Sequence, residues 1–155
     1  MPVTVEAVGY VSSSRAVARD DGWDAEISMI RLAPGFGPES VQGLGDFSHL
    51  EVLYHFHQAD PAAVVRGARH PRDNPAWPLT GIFAQRGRNR PNLLGSTVCA
   101  LVRVEGTTLH VSGLDAIDGT PVLDIKPVMQ EFLPRGAVLQ SRWSRELMRD
   151  YWRQG

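Results

Sequence analysis

Cysteine is nearly missing from this chain: Cys99, inside an apolar stretch, is the single one. That excludes an internal disulfide and a cysteine-built zinc cage, and a reducing cytoplasm is the expected compartment. Lysine is as scarce, with Lys126 alone against fifteen arginines. No run approaches the roughly 18 apolar residues that a membrane-spanning helix needs. Glu6 and Gly9 stand where an export signal would have an unbroken apolar core. The chain is therefore expected to be neither exported nor membrane-inserted. Repeats, coiled-coil heptads and low-complexity tracts are also missing, which excludes solenoid and fibrous classes.

What is present suits one globular domain. At 155 residues, 43% of them apolar and 21% charged, the chain is long enough to bury roughly two-thirds of its unfolded surface. The net charge of −1 hides a segregation: residues 1–60 hold nine acids and three bases, residues 61–95 one acid and six bases, and the rest is balanced. Local basicity of that kind fits an anionic partner, or a solvated loop paired with the acidic N-terminal third.

Apolar and polar residues alternate with the period of a half-buried strand over Val3–Val11, Ala25–Leu32, Leu50–His57, Thr80–Ala84, Thr97–Glu105, Thr108–Leu114 and Val122–Ile125. Seven short strands with turn residues between them predict an all-β sandwich or barrel. Glu105-Gly106-Thr107 reads as a hairpin turn. Helical spacing is sparse until Trp143, Leu147 and Tyr151, which predict one helix over Ser141–Arg153; a short helical turn is open at Pro38–Leu44. The organisation expected is a barrel domain over 1–140 and a helical segment over 141–155, packed on the barrel or on a partner subunit. Asp60–Leu79 carries four of the eleven prolines and no periodicity, and a loop that long in a small domain is usually functional or mobile.

Two motifs are decoys. Gly35–Ser40 (GFGPES) has two glycines of a dinucleotide fingerprint but Ser40 in place of the third and no βαβ setting, so a turn is expected. Asn74-Pro75-Ala76-Trp77 resembles the Asn-Pro-Pro-aromatic box of adenine methyltransferases without its second proline.

On Leu50–His57, the residues Leu50, Val52, Tyr54 and Phe56 share the core face, leaving His49, Glu51, Leu53, His55 and His57 opposite. His-x-His on a strand can ligate metal, but the carboxylate expected beyond it is missing, so this face reads as a polar ligand wall with His57 and Gln58, and no metal. In GIFAQRGRNRPNLLG (Gly81–Gly95), Arg86, Arg88 and Arg90 lie within five residues, with Gly87 and Asn89 relaxing the backbone. Their planar guanidinium groups make two-pronged contacts to carboxylate or phosphate, a plausible anion cradle, although one of the three is expected to neutralise Asp115, Asp118 or Asp124. In GLDAIDGTPVLDIKP (Gly113–Pro127), Asp118-Gly119-Thr120-Pro121 is a tight turn whose carboxylate can bond the backbone ahead of it, flanked by Asp115 and Asp124 and followed by Lys126. Such a turn either accepts from a ribose diol or staples itself.

Phe47–Leu50, Phe56–Gln58, Gly81–Gly95 and Leu114–Pro127, in this order and spacing, resemble the TrmO family of TsaA-like proteins over about residues 5–130. The resemblance implies a single-sheet β-barrel, usually a homodimer, that binds S-adenosylmethionine without a Rossmann fold. It further implies methylation of the exocyclic nitrogen of threonylcarbamoyl-adenosine beside the anticodon of certain transfer RNAs. Its cofactor pocket would map onto Asp21, Gly22, Trp23, His57, Gln58, Arg86, Ser96, Ser112, Gly113, Leu114 and Asp115.

Within that frame Arg86 suits the methionine carboxylate and Asp115 a polar edge of the cofactor. Arg88, Arg90 and Lys126, with Arg66, Arg69 and Arg72, suit RNA or the threonyl carboxylate, and Asp118 or His57 can accept the departing proton. The chain departs from the family pattern at Gln85, Gly87 and Arg88 (Ala-Thr-Arg-Ser-Pro elsewhere), at Leu93 and Leu94 (Pro-Asn-Pro-Ile-Gly elsewhere), at Val128, and at Asp20-Asp21 in the N-terminal arm. A non-catalytic S-adenosylmethionine-binding module, a methyltransferase with another acceptor and a metal-dependent barrel enzyme using His55 and His57 are the alternatives.

Overall fold

The computed structural model describes residues 1–153; Gln154 and Gly155, which end the expected 141–155 segment, lie outside the described residues. Among the described residues eight strands form: β1 (Gly9–Ser12), β2 (Ile27–Leu32), β3 (His49–His55), β4 (Ala68–Arg69), β5 (Thr80–Gly81), β6 (Leu94–Glu105), β7 (Thr108–Ser112) and β8 (Pro121–Pro127). Six of them close into one antiparallel barrel in the order β1-β2-β7-β6-β3-β8, while β4 and β5 make a separate two-residue ribbon. Closure leaves the barrel sheet without a free edge, which is how a small single sheet buries one face completely.

The period of two explains the core. Val11, Ile30, Leu50, Val52, Tyr54, Cys99, Leu109, Val111 and Val122 point inward, joined by Leu114 and Ala116 from the loop after β7. Gly9 lets β1 approach β2, because a Cβ there would stand 2.7 Å from the Arg31 carbonyl oxygen. Irregular pairing at Leu53/Tyr54 places Leu53 opposite Asp124 but Tyr54 opposite Val122, so Leu123 is the extra residue of a bulge beside Tyr54. The Glu105–Thr108 hairpin forms as expected, with Gly106 at φ +60°.

Three expectations need correction. Pairing begins at Gly9 and not Val3, where Val3 and Val5 stay exposed. Thr80–Ala84 is not a barrel strand: Thr80 and Gly81 pair only with β4, and Ile82–Ala84 is a single 3-10 turn with Ile82 alone buried. The C-terminal helix is shorter than its apolar spacing: α1 spans Arg142–Leu147, with Ser141 as N-cap. Beyond it, the amides of Gly22, Trp23 and Asp24 take the carbonyls of Tyr151 and Trp152, so pairing with the N-terminal arm replaces helical propagation. Residues 129–141, all exposed, connect the barrel to α1.

The proline-rich loop is ordered by local bonds. Asp60 caps Ala62, His70 Nδ1 lies 2.7 Å from the Trp77 carbonyl, and Asn74 Oδ1 accepts from the Ala76 amide at 2.9 Å. The Asn-Pro-Ala-Trp decoy is thus an Asx turn. Pro38–Val41 and Leu44–Asp46 are 3-10 turns.

Candidate functional site

At one end of the barrel, β3, β6 and the loop after β7 converge on the Asp115 carboxylate. Gly113, at φ +77°, turns the chain out of β7 so that Leu114 and Ala116 enter the core while Asp115 stays half-buried between them. Oδ1 of Asp115 accepts from the Tyr54 hydroxyl at 3.0 Å and from the Thr97 hydroxyl; Oδ2 accepts from the Tyr151 hydroxyl. Burial, then the Asp115 charge, raises both phenols far above the ordinary tyrosine range, so both remain donors. Gly95 permits this geometry, since a Cβ there would meet the Tyr54 ring at 2.5 Å.

Arg86 stands on the same rim. Its Nη2 donates to the Ser96 carbonyl at 2.7 Å, with the Ser96 hydroxyl 3.4 Å away, and its positive charge acts on both Tyr54 and Tyr151. The side chain remains exposed, leaving guanidinium N–H groups free for an anion. The expected neutralisation of an aspartate does not occur. Among the described residues, no ion pair joins Arg86, Arg88 or Arg90 to Asp115, Asp118 or Asp124, and Asp124 pairs instead with Lys126 at 2.8 Å.

The three loop arginines differ in what they hold. Arg88 is exposed. Arg90 donates to the Gln85 carbonyl at 2.6 Å, and the buried Gln85 amide donates to the carbonyls of Arg69 and Thr80 at 3.0 and 2.7 Å. Gln85 and Arg90 therefore tie the basic loop to the β4–β5 ribbon. Two bases of the preceding loop are paired with acids, Arg69 with Asp73 and Arg72 with Asp20 and Asp21, whereas Arg66 is exposed.

His57 and the Asp118 turn form a second edge. A Cβ on Gly119 would lie 3.6 Å from His57 Nε2. Burial and then the neighbouring His55 hold the His57 imidazole below its ordinary pKa, with Asp118 pulling the other way. Asp118 does not bond the backbone ahead of it: Oδ1 accepts from the Ser13 amide at 2.9 Å, 105 residues away, and its own amide donates to the Arg15 carbonyl at 2.7 Å. Closing a barrel brings that strand end nearer than the turn's next residues. Gln58 is exposed beside His57. Among the described residues, no group of three or more His, Cys, Asp or Glu side chains is placed to hold a metal ion.

The N-terminal arm supplies the remaining side. Trp23 is buried under the Arg15 guanidinium, 4.0 Å from its ring centroid, and Arg15 is held by Glu26 at 2.9 Å and by the carbonyls of Asp21 and Gly22. The Ser112 hydroxyl reaches the Asp24 carbonyl at 3.3 Å, and a Cβ on Gly113 would lie 3.9 Å from Trp152. The structure thus brings Arg86, Ser96, Asp115 and the arm together, sets His57 and Asp118 on an adjoining edge, and engages Lys126 with Asp124 instead.

Sequence reasoning passed over Tyr54, Thr97 and Tyr151. Their signal was polar groups at inward positions of apolar registers, and a tyrosine on an apolar helix stripe.

The residues fit S-adenosylmethionine at two ends: Arg86 offers a guanidinium to a carboxylate, and Asp115 keeps acceptor capacity for a nucleoside N–H or O–H. The Gly22 and Trp23 amides, by contrast, are engaged by the Tyr151 carbonyl at 2.8 and 3.0 Å.

Comparison with known proteins gives a consistent picture. Residues 12–132 match the family model of the tRNA-methyltransferase O N-terminal domain. A Mus musculus protein named tRNA (adenine(37)-N6)-methyltransferase is 43% identical over 93 residues, covering 60% of this chain and 21% of that protein. A Methanothermobacter thermautotrophicus protein named a probable S-adenosyl-L-methionine-binding protein is 37% identical over 138 residues, covering 84% of this chain and 93% of that one. The crystal structure of TrmO from Pseudomonas aeruginosa superposes with a TM-score of 0.70 at 32% identity, over 92% of this chain and 62% of that one. The chain therefore spans about a fifth of the first curated relatives it matches and just under two-thirds of that solved chain.

Proposed function

The chain belongs to the family of tRNA-methyltransferase O N-terminal domains, and on that premise we propose that it binds S-adenosylmethionine between Arg86 and Asp115 and methylates N6 of an adenine in transfer RNA. The acceptor we propose is threonylcarbamoyl-adenosine beside the anticodon. One observation carries the reading: Arg86, with N–H groups to spare, stands beside a carboxylate that three hydroxyls hold as an acceptor. A cation and an anion on one rim that form no ion pair with each other match a ligand with a carboxylate at one end and a nucleoside at the other.

Bound S-adenosylmethionine supplies a methyl group on a sulfonium, which leaves as a neutral thioether. The protein's task is to hold the acceptor nitrogen in line, and such positioning can supply roughly 7–11 kcal/mol. His57, whose burial favours the neutral imidazole, accepts the proton that leaves the nitrogen, with Asp118 beside it as the alternative acceptor. Arg88 and Arg66, both exposed, take the RNA backbone or the threonyl carboxylate.

Labelled cofactor incubated with this chain and unmodified transfer RNA tests the proposal, with nucleosides resolved by mass spectrometry. Label in methylated threonylcarbamoyl-adenosine is expected. The match across nearly the whole of a relative named for binding S-adenosyl-L-methionine favours a second reading, a module that binds the cofactor without transfer. Cofactor affinity without label in RNA would establish that reading.

A further inference from the structure

The last described turn of the chain reaches the centre of the site, where it supplies one of the three hydroxyls on Asp115. Tyr151 donates to Oδ2 of Asp115, whereas both barrel donors, Tyr54 and Thr97, meet at Oδ1. The segment carrying Tyr151 is fixed on two sides. The Gly22 and Trp23 amides grip its carbonyl, the Asp24 amide grips the Trp152 carbonyl at 3.1 Å, and Trp77 Nε1 donates to Glu146 at 2.9 Å. The Tyr151 ring also packs edge-on against Trp152, 5.0 Å between centroids. A residue with ring, carbonyl and hydroxyl all engaged has little rotamer freedom left to lose when a ligand arrives.

A carboxylate has two oxygens with about two acceptor positions each. Donors gathered on Oδ1 fill that oxygen and leave the group able to swing about it. A third donor on Oδ2 fixes the plane and leaves one acceptor position, on Oδ2. We infer that Tyr151 is a positioning residue of the cofactor site: acting through Asp115, it sets the carboxylate plane and leaves Oδ2 open to a single N–H or O–H of the nucleoside. The inference rests on the cofactor reading above. It makes the C-terminal segment part of the site in this chain, although the family match ends at residue 132.

The test compares full-length chains carrying Tyr151→Phe, Asp115→Asn or both, by calorimetry with S-adenosylmethionine and by thermal unfolding without it. Tyr151→Phe keeps the ring and removes only the hydroxyl, and it is expected to weaken cofactor affinity about tenfold, as loss of a hydrogen bond to a charged group does. In the Asp115→Asn background the same substitution is expected to change affinity less than about twofold, because the pair acts as a unit. Additive losses, or a loss explained by an earlier unfolding midpoint, would identify a packing role and overturn the inference. Unchanged or tighter binding would also overturn it. If the unsubstituted chain binds no S-adenosylmethionine, the cofactor reading itself fails and this inference falls with it.

Discussion

A Cβ on Gly95 would stand 2.5 Å from Cε2 and 2.6 Å from Cζ of the Tyr54 ring. That ring cannot easily yield: it packs edge-on against Phe56, 5.4 Å between centroids, and its hydroxyl is committed to Asp115. Gly95→Ala is therefore expected to cost about 1–3 kcal/mol in urea unfolding, as overpacking does, and to weaken cofactor binding as Asp115 loses a donor. Gly67→Ala, where an added Cβ meets nothing within 4 Å, should leave both unchanged. Equal effects at the two positions would refute this account of Gly95.

The N-terminal arm depends on a shielded ion pair. The side chains of Arg15 and Glu26 are 10% and 12% exposed, and Ser13 and Ser14 add hydroxyl donors to the carboxylate. Burial alone would raise the Glu26 pKa, but the bonds from Ser14 and Arg15 outweigh it and hold the group below its usual value. A carboxylate lowered in the folded state contributes stability that is complete above its unfolded pKa and fades as pH falls through the folded one. Glu26→Gln should cost about 3 kcal/mol at pH 7, the scale for stranding one member of a shielded pair. Its unfolding midpoint should also depend less on pH below about 4 than that of the parent.

The barrel was legible because each inward residue of β2, β3 and β7 reports its own burial, and alternation is a local property. Thr80–Ala84 shows its limit: five residues alternate, yet a strand needs a neighbour, and no local pattern reveals that the barrel is already closed without this one. Helical spacing in Trp143, Leu147 and Tyr151 misled for a similar reason, since the arm amides that take the Tyr151 and Trp152 carbonyls lie more than 120 residues earlier. Period also assigns Tyr54 to the core without saying where its hydroxyl goes; the partner, Asp115, is 61 residues away. Arg86 and Asp115 were both marked by their neighbours in sequence. Tyr151, the donor that completes the group, was not, because its polar end faces a residue no spacing rule connects to it.

Alkaline pH should find the same cluster. Burial raises the Cys99 thiol from its ordinary 9.0 up to about 12, with Asp115 adding to the shift, and the Tyr54 and Tyr151 phenols rise for the same two causes. Each group binds its proton more tightly when folded, so its stabilisation is complete below its unfolded pKa and is lost as pH rises above it. Stability measured by urea should therefore be steady to about pH 8 and decline beyond about pH 9, with the phenols adding to the decline beyond about pH 10. Cys99→Ala should remove the first part of that decline, and Tyr54→Phe should flatten the second. An unchanged alkaline limb in both variants would show that these groups are not what titrates.

Arg86, Arg88 and Arg90 occupy five residues of sequence but make different contacts, and substitution should separate them. Arg86 bonds the Ser96 carbonyl beside the Asp115 group, so Arg86→Ala should weaken S-adenosylmethionine affinity about tenfold in calorimetry, the scale for a charge-assisted bond. Arg88 is exposed, so Arg88→Ala should leave that affinity intact. It should lower transfer RNA affinity and reduce the slope of log affinity against log salt by about 1, as the loss of one phosphate contact does. Arg90 is tied to the Gln85 carbonyl, and through Gln85 to the ribbon, so Arg90→Ala should cost about 1 kcal/mol of stability in urea. Any change it makes in RNA affinity should be recovered at a temperature low enough to hold the loop. If all three variants instead lose cofactor and RNA affinity in the same proportion, the loop acts as one electrostatic patch, and the division of its arginines into ligand, nucleic-acid and structural contacts is wrong.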